Sequence, residues 1–275
     1  MADFSRKNRR KGLTLGFVPT MGALHEGHAS LIRSARKEND IVIVSIFVNP
    51  TQFGPREDFK KYPRDFQRDM LLCKREGVDV VFHPPASAMY PSNYRTSVLV
   101  EGLSEVLCAS FRPGHFKGVA TVVTKLFNIV GPKVAYFGQK DAQQAIIIKR
   151  MVRDLNIPAK IKVLPTIREK DGLALSSRNA YLNPKERKTA AVLYEALKKA
   201  KDLIKKGKRD ARDVIRRMKR IIHRSGIVKI DYICIVDLDN LQPLKKITDN
   251  SLIALAAWVG KTRLIDNIIA KPQKK

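Results

Sequence analysis

Ile41-Val42-Ile43-Val44-Ser45-Ile46-Phe47-Val48 is the longest apolar run of this 275-residue chain. It is largely β-branched and does not alternate with polar residues. A strand with one face in water alternates; a strand covered on both faces of a parallel sheet does not. The run therefore predicts an interior strand of a parallel sheet. On its N-terminal side, Leu13–Val18 reads as a strand closed by Pro19, followed by a helical segment with Leu24, His28, Leu31 and Ile32 at helical spacing. On its C-terminal side come a helix at Phe66–Arg75, a strand at Val78–Phe82 and an apolar helix at Val119–Val130. A strand at Val134–Phe137, a helix at Gln143–Leu155 and a strand at Lys160–Pro165 complete the set. Strand and helix alternate throughout, which predicts an α/β domain over residues 1–167.

The texture changes after Ile167. Thr189–Lys205 is amphipathic, a second helix is expected at about Arg212–Arg224, and Ile227–Val236 and Leu252–Val259 read as strands. Residues 168–275 are thus expected to form a smaller α+β domain.

Composition narrows the function classes. Hydrophobic residues are 44% and charged residues 29%, which excludes a disordered or fibrous chain. The 53 Lys+Arg against 26 Asp+Glu leave +27, a balance that attracts polyanions: phosphorylated metabolites, nucleotides, RNA or anionic membranes. Between Lys198 and Arg224 there are 13 Lys/Arg and 3 Asp/Glu, without an aromatic side chain to stack on bases. Solvated faces of two amphipathic helices account for that run better than a nucleic-acid surface. Cys73, Cys108 and Cys234 are few and scattered, so a reduced, cytoplasmic compartment is expected rather than a disulfide framework. No run approaches the ~20 apolar residues that span a bilayer. The basic residues Arg6, Lys7, Arg9, Arg10 and Lys11 read as a charged tail leading into the first strand.

Four clusters carry chemistry. Pro19-Thr20-Met21-Gly22-Ala23-Leu24-His25-Glu26-Gly27-His28 joins the first strand to a helix. A helix N-terminus offers unpaired N–H groups and a positive dipole to phosphate. His25 and His28 are three apart and are expected on one helix face, where two imidazoles can donate to oxygens that gain charge. Zinc is disfavoured because the zincin pattern needs histidines at i and i+4, and a dinucleotide fold because no GxGxxG follows the strand; a purely structural pair of histidines is the competing account. Gly260-Lys261-Thr262 resembles the end of a P-loop, but Leu255 stands where its first Gly is required.

The second cluster, Val48-Asn49-Pro50-Thr51-Gln52-Phe53-Gly54, lies just past the Ile41–Val48 strand, where parallel sheets bind ligands. Gln52 is suited there to hydroxyl or carboxylate groups; an ordinary turn is the competing account. The third, Gly138-Gln139-Lys140-Asp141-Ala142-Gln143-Gln144, follows another strand, with Lys140 suited to phosphate and Asp141 to a ribose, a base or a helix cap. The fourth, Leu175-Ser176-Ser177-Arg178-Asn179, has the make-up of a phosphate clamp.

Taken together and in this order, the clusters resemble the pantothenate synthetase (pantoate–β-alanine ligase) family. GFVPTMGALHEGH is close to that family's nucleotide signature, and VNPTQFG, Tyr62–Arg64, RPGHFKGVATVV at Arg112–Val123, YFGQKDAQQ, DGLALSSRN and GKTRLIDN resemble its landmarks. The resemblance covers roughly residues 13 to 268. It implies a Rossmann-like N-terminal domain with a smaller C-terminal lid domain, usually dimeric. It implies that ATP, accompanied by Mg2+, activates pantoate as an adenylate that β-alanine then attacks. Carried over by position, Met21, Gly22, Ala23, Leu24, His25, Glu26, Gly27 and His28 would bind ATP, with His28 catalytic and His25 beside it. Gly138, Gln139, Lys140, Asp141, Ile167, Leu175, Ser176, Ser177 and Arg178 would complete the ATP site. Gln52 and Gln144 would hold pantoate, and Gln52 would also lie near β-alanine. The family usually has a helix before its first strand, where this sequence offers only about a dozen residues, five of them basic.

Overall fold

The computed structural model describes residues 1–55 and 57–273. The chain forms two compact units: Met1–Gln139 with Gln143–Pro165, and Lys140–Ala142 with everything from Thr166 onward.

The first unit is built from α1 (Ala2–Arg10), β1 (Leu15–Thr20), α2 (Glu26–Glu38), β2 (Ile41–Ile46), α3 (Phe66–Arg75), β3 (Val80–Phe82), α4 (Ala86–Met89), α5 (His115–Val130), β4 (Val134–Gly138), α6 (Ala142–Asp154) and β5 (Lys160–Leu164). All five strands are parallel, in the order β3-β2-β1-β4-β5. The apolar character of β2, broken only by Ser45, follows from its place. Ile41 and Ile43 enter one cluster with Leu15, Phe17 and the α5 side chains Val119, Val123 and Phe127. Val42, Val44 and Ile46 enter the opposite cluster with Val18, Tyr136 and the α2 side chains Leu31, Ile32 and Ala35. Each such side chain, fully buried, contributes about 1.5–3 kcal/mol, and Ser45 is the one polar side chain of β2, itself fully buried.

Three local readings need correction. β1 does not stop at Pro19 but runs to Thr20. Thr14 and Thr20 bond towards β2 and Leu15 towards β4, so alternation aims residue 19 at the β4 side, where pairing has already ended at Phe17–Ala135. The missing proline N–H therefore costs no ladder bond. The basic N-terminus is a helix rather than a tail. Ser5 of α1 is fully buried, Met1 packs on the α5-side cluster, and the charged residues face out. So few apolar residues give no readable period. The 189–205 segment is two helices, α7 (Pro184–Ala190) and α8 (Val192–Lys205), broken at Ala191. Pro184 in the first turn and an Asn183–Glu186 capping box start α7 ahead of the expected boundary.

The second unit continues with α9 (Ala211–His223) and an antiparallel sheet of β6 (Val228–Asp237), β7 (Ser251–Val259) and β8 (Thr262–Ala270), in that order. β8 was not anticipated, because Arg263, Asp266 and Asn267 interrupt its apolar pattern. In α8 and α9, Leu197, Ala200, Ile204, Val214, Met218 and Ile222 are fully buried against this sheet. The lysines and arginines of the basic run occupy the other sides of those helices.

The polar residues of β8 are structural anchors. The Asp266 carboxylate is buried and receives a two-pronged bond from Arg168, at 2.6 and 2.9 Å. The same guanidinium donates to the Gly172 carbonyl at 3.0 Å and lies 4.1 Å from the Tyr194 ring centroid. Removing one member of such a pair leaves a charge buried and unmatched. We predict that Arg168→Ala destabilises the second unit by about 3–5 kcal/mol in denaturant unfolding, and that Arg168→Lys restores little of it, because an ammonium cannot make the fork.

Candidate active site

Chain direction fixes where a ligand crevice can form in the first unit. From β1 the chain steps outward to β2 and β3, then returns to the far side of β1 for β4 and β5. The loops leaving the carboxyl ends of β1 and β4 therefore diverge, and ligands of open α/β sheets sit at that reversal. The loop after β1 is residues 21–25, and Gly138 closes β4.

Gly22 and Ala23 both have left-handed backbone, at φ 81° and 50°. This sharp turn strands the Ala23 and Leu24 amides without strand or helix partners. Asp69, from α3, accepts both, at 2.9 and 2.7 Å. Its side chain is buried, and that burial pushes the carboxyl above its ordinary range against the opposing pull of the two amides. A Cβ on Gly22 would stand 2.9 Å from the Asp69 Oδ2, so the glycine also makes room for the carboxylate.

His25 is not on the helix face, as its spacing suggests, but is the N-cap of α2. Its Nδ1 accepts the Gly27 N–H at 3.1 Å, and the Nδ1 of His28 accepts the His25 N–H at 3.3 Å. This is a capping box with imidazoles in place of the usual hydroxyl and carboxylate. Because each Nδ1 is an acceptor, each ring carries its proton on Nε2. The rings lie 4.2 Å apart. Two imidazole N–H donors are thus set by backbone geometry at a helix N-terminus. Gly27 is required here for a steric reason, since a Cβ would come within 2.8 Å of the His25 ring.

The loop after β2 presents Gln52, which is buried. Asn49 fixes which way its amide points. The Asn49 Oδ1 accepts from the Thr51 hydroxyl at 3.0 Å and the Tyr90 hydroxyl at 2.9 Å, so its Nδ2 is the atom that faces Gln52 Oε1 at 3.1 Å and the Gly118 carbonyl at 3.1 Å. Gln52 Nε2 is left pointing at the Met21 sulfur, 3.1 Å away. A thioether is a weak acceptor. The loop after β2 therefore holds out an amide donor with a poor partner, beside the first residue of the β1 loop.

Of the two adjacent glutamines in α6, Gln143 is spent on the 103–108 segment: it accepts from Cys108 N and donates to the Leu103 and Val106 carbonyls. Gln144 is half-buried on the next position. Gln139–Asp141 is a 3-10 turn, and its Lys140, which belongs to the second unit, has a carbonyl that accepts from Asn267 Nδ2 of β8 at 2.8 Å. Ile167 accepts from Leu175 N, and Ser176 caps the turn Ser177–Tyr181, which packs on β8 as well. β8 thus scaffolds both Lys140 and Ser176–Arg178 within that unit. Sequence reading missed Asp69, Tyr90, His115 and Asn267. Asp69 left a trace, being a carboxylate four residues before Cys73 on the buried side of α3.

A family model described as pantoate-beta-alanine ligase matches residues 1–269. A pantothenate synthetase of Moorella thermoacetica is 60% identical over 261 residues, which are 95% of this chain and 92% of the relative. The crystal structure of pantothenate synthetase from Thermus thermophilus superimposes with a TM-score of 0.90 at 46% identity, covering 93% of this chain and 92% of that one. A pantoate-beta-alanine ligase from Francisella tularensis, complexed with beta-gamma ATP and beta-alanine, gives 0.81 at 39% identity over 97% and 94% of the two chains.

The Asp69 anchor yields a prediction. Asp69→Asn can satisfy one loop amide through its oxygen but turns an N–H donor toward the other. The variant should lose about 1–3 kcal/mol of unfolding free energy, and hydrogen exchange at Ala23 and Leu24 should accelerate together. Unchanged protection at both amides would show that the turn holds without the carboxylate.

Proposed function

The chain belongs to the pantoate–β-alanine ligase family, and we propose the following assignment of its groups to the reaction. The reaction is the ATP-dependent condensation of pantoate with β-alanine, giving pantothenate. A carboxylate does not react readily with an amine because its leaving group is poor. Transfer of AMP to pantoate supplies a good one and divides a hard step into two easier ones. The pantoate carboxylate attacks the α-phosphorus, pyrophosphate leaves, and the amine of β-alanine then displaces AMP from the pantoyl adenylate.

Each step draws on groups described above. The Met21–His28 loop binds the nucleotide, with the Nε2–H donors of His25 and His28 facing phosphate oxygens that gain charge as pyrophosphate departs. Donors fixed before the reaction stabilise that charge without reorganising, and one such donor is worth roughly 10²–10³ in rate. Gln52, with its amide N–H outward, and Gln144 take the hydroxyl and carboxylate oxygens of pantoate, and Gln52 also lies near β-alanine. Gly138 and Gln139, and from the second unit Lys140, Asp141, Ile167 and Leu175–Arg178, complete the ATP contacts, Lys140 and Arg178 by charge. In this reading residues 1–167 form the ATP- and pantoate-binding domain and 168–275 a lid domain.

The observation that carries the proposal is the imidazole capping box that follows the carboxyl end of β1, in the loop whose first residue, Met21, meets the Gln52 amide. The thiols support activation on the nucleotide rather than on the enzyme. Cys73 and Cys108 are buried, and burial pushes the Cys73 thiol up to about 11 and also raises that of Cys234. Mg2+ enters with ATP. It would take most of its ligands from phosphate and water. No helix of the described residues is long and apolar enough to cross a membrane. A cytoplasmic homodimer belongs to the proposal on the family resemblance, and the basic α8–α9 faces are assigned to solvent rather than nucleic acid.

Isotope exchange tests the order of events. With pantoate and magnesium present and β-alanine absent, labelled pyrophosphate should exchange into ATP. His28→Ala should cut that exchange by about 10²–10³ while leaving the melting temperature near the parent value. Exchange that required β-alanine would overturn the adenylate route, and near-normal exchange by His28→Ala would remove that residue from the mechanism.

A further inference from the structure

Gln52 is held from two sides. Its side chain is oriented by Asn49, and its backbone carbonyl meets a second set of groups on α5 and the segment before it. The Nδ1 of His115 lies 2.7 Å from the Gln52 oxygen. The Nε2 of the same ring lies 3.0 Å from Arg112 Nη1. Arg112 in turn grips Glu57 with two bonds, at 2.7 and 2.6 Å, and its Nη2 reaches the Gln52 carbonyl at 3.5 Å. The approach of α5 to this loop is close: a Cβ on Gly118 would stand 2.4 Å from the Thr51 carbonyl oxygen.

The atoms determine the state of the ring. A guanidinium only donates, so Nε2 must accept from Arg112. A carbonyl only accepts, so Nδ1 must carry the proton. His115 is therefore a neutral imidazole whose tautomer is set by Arg112, and the orientation of Arg112 is set by Glu57. Burial pushes the Glu57 carboxyl up, but the bonds and charge of Arg112 outweigh that and hold it below its ordinary range. Glu57 thus remains an acceptor for both prongs at neutral pH.

We infer that His115 is a positioning residue for the ligase reaction: as the Nδ1–H tautomer it fixes the Gln52 backbone, and so places the Gln52 amide that receives pantoate. A chain of carboxylate, guanidinium and imidazole ends on a main-chain oxygen whose own residue touches the substrate. His115 is nearly buried, with 9% exposure, and touches no reacting atom in this role. A misplacement of Gln52 by a fraction of an ångström weakens its bond to the substrate oxygen, while the nucleotide loop beyond Met21 stays held by Asp69 and the imidazole capping box. The effect should therefore appear in pantoate use and not in ATP use. The inference rests on the assignment of Gln52 to pantoate.

Two near-isosteric variants separate positioning from packing. In His115→Asn the amide nitrogen can take the place of Nδ1 and still donate to Gln52. In His115→Gln the amide reaches toward the Nε2 position and the donor at Nδ1 is lost. Steady-state kinetics should show the pantoate KM raised about tenfold in His115→Gln, the size of one backbone hydrogen bond, and within about threefold of the parent in His115→Asn. The ATP KM should stay level in both. If His115→Gln folds poorly, Arg112→Lys takes its place, since an ammonium cannot serve both Glu57 and the ring; it should give the same pantoate-selective rise. In a Gln52→Ala background His115→Gln should add almost nothing. Equal losses in the Asn and Gln variants, an ATP KM that rises with that of pantoate, or a full additional loss over Gln52→Ala would overturn the inference. If Gln52→Ala alone leaves the pantoate KM at the parent value, the pantoate assignment itself falls, and the positioning role falls with it.

Discussion

The turn after β1 bends so sharply that two consecutive amides, Ala23 and Leu24, point inward with no strand or helix carbonyl to receive them. A single carboxylate can accept both at once, and Asp69 reaches them from α3, 45 residues further along the chain. The start of α2 depends on this bond. With the Leu24 amide pinned, His25 falls at the N-cap rather than in the first turn, and its ring folds back over Gly27. The capping box that follows decides the tautomers of both histidines. A buried carboxylate on one helix thus bears, through a short stretch of backbone, on which nitrogen of each imidazole carries the proton.

The loop after β2 solves a similar problem by other means. Asn49 reads the orientation of the Gln52 amide through hydroxyls of Thr51 and Tyr90, and the Gln52 carbonyl is gripped from behind by His115. The two loops share one design: a backbone conformation that secondary structure does not supply is held by side chains whose hydrogen-bonding capacity is almost fully used. Met21 sulfur is the exception, a poor partner for a good donor. Any oxygen acceptor that took its place would give the amide a stronger bond than the one it gave up.

What could be read in advance follows from the range of the forces involved. The parallel sheet was legible in β2, because burial on both faces leaves an apolar run broken only by Ser45. The His25–His28 and Asn49–Gly54 clusters were legible because the ends of strands and the starts of helices carry local chemistry. β8 was not, since Arg263, Asp266 and Asn267 meet partners at Asp231, Arg168 and Lys140 that no local pattern announces. α1 was hidden because its buried contacts are Ser5 and Met1, neither of which marks an apolar stripe. Asp69 was hidden by the helix that carries it: Leu71 is 69% exposed while Asp69 is buried, the reverse of what polarity suggests. In each case the missing information was a contact distant in sequence.

The strand order that opens the crevice also has a consequence for synthesis. β1 is the central strand, yet its partner β4 is made long after it: Phe17 pairs with Ala135. The half-sheet β3-β2-β1 is complete only once Phe82 has been made, and at typical translation rates of 5–20 residues per second the roughly fifty residues from there to Ala135 take about 3–10 s to appear. Through that interval the nascent half-sheet β3-β2-β1 ends in an apolar strand with one edge unpaired, the arrangement that invites pairing between chains. Val18 and Phe17, among the most buried residues of the finished protein, are for those seconds the rim of an incomplete sheet. The reversal at β1 therefore imposes a delay during which the central strand of the finished sheet is an edge.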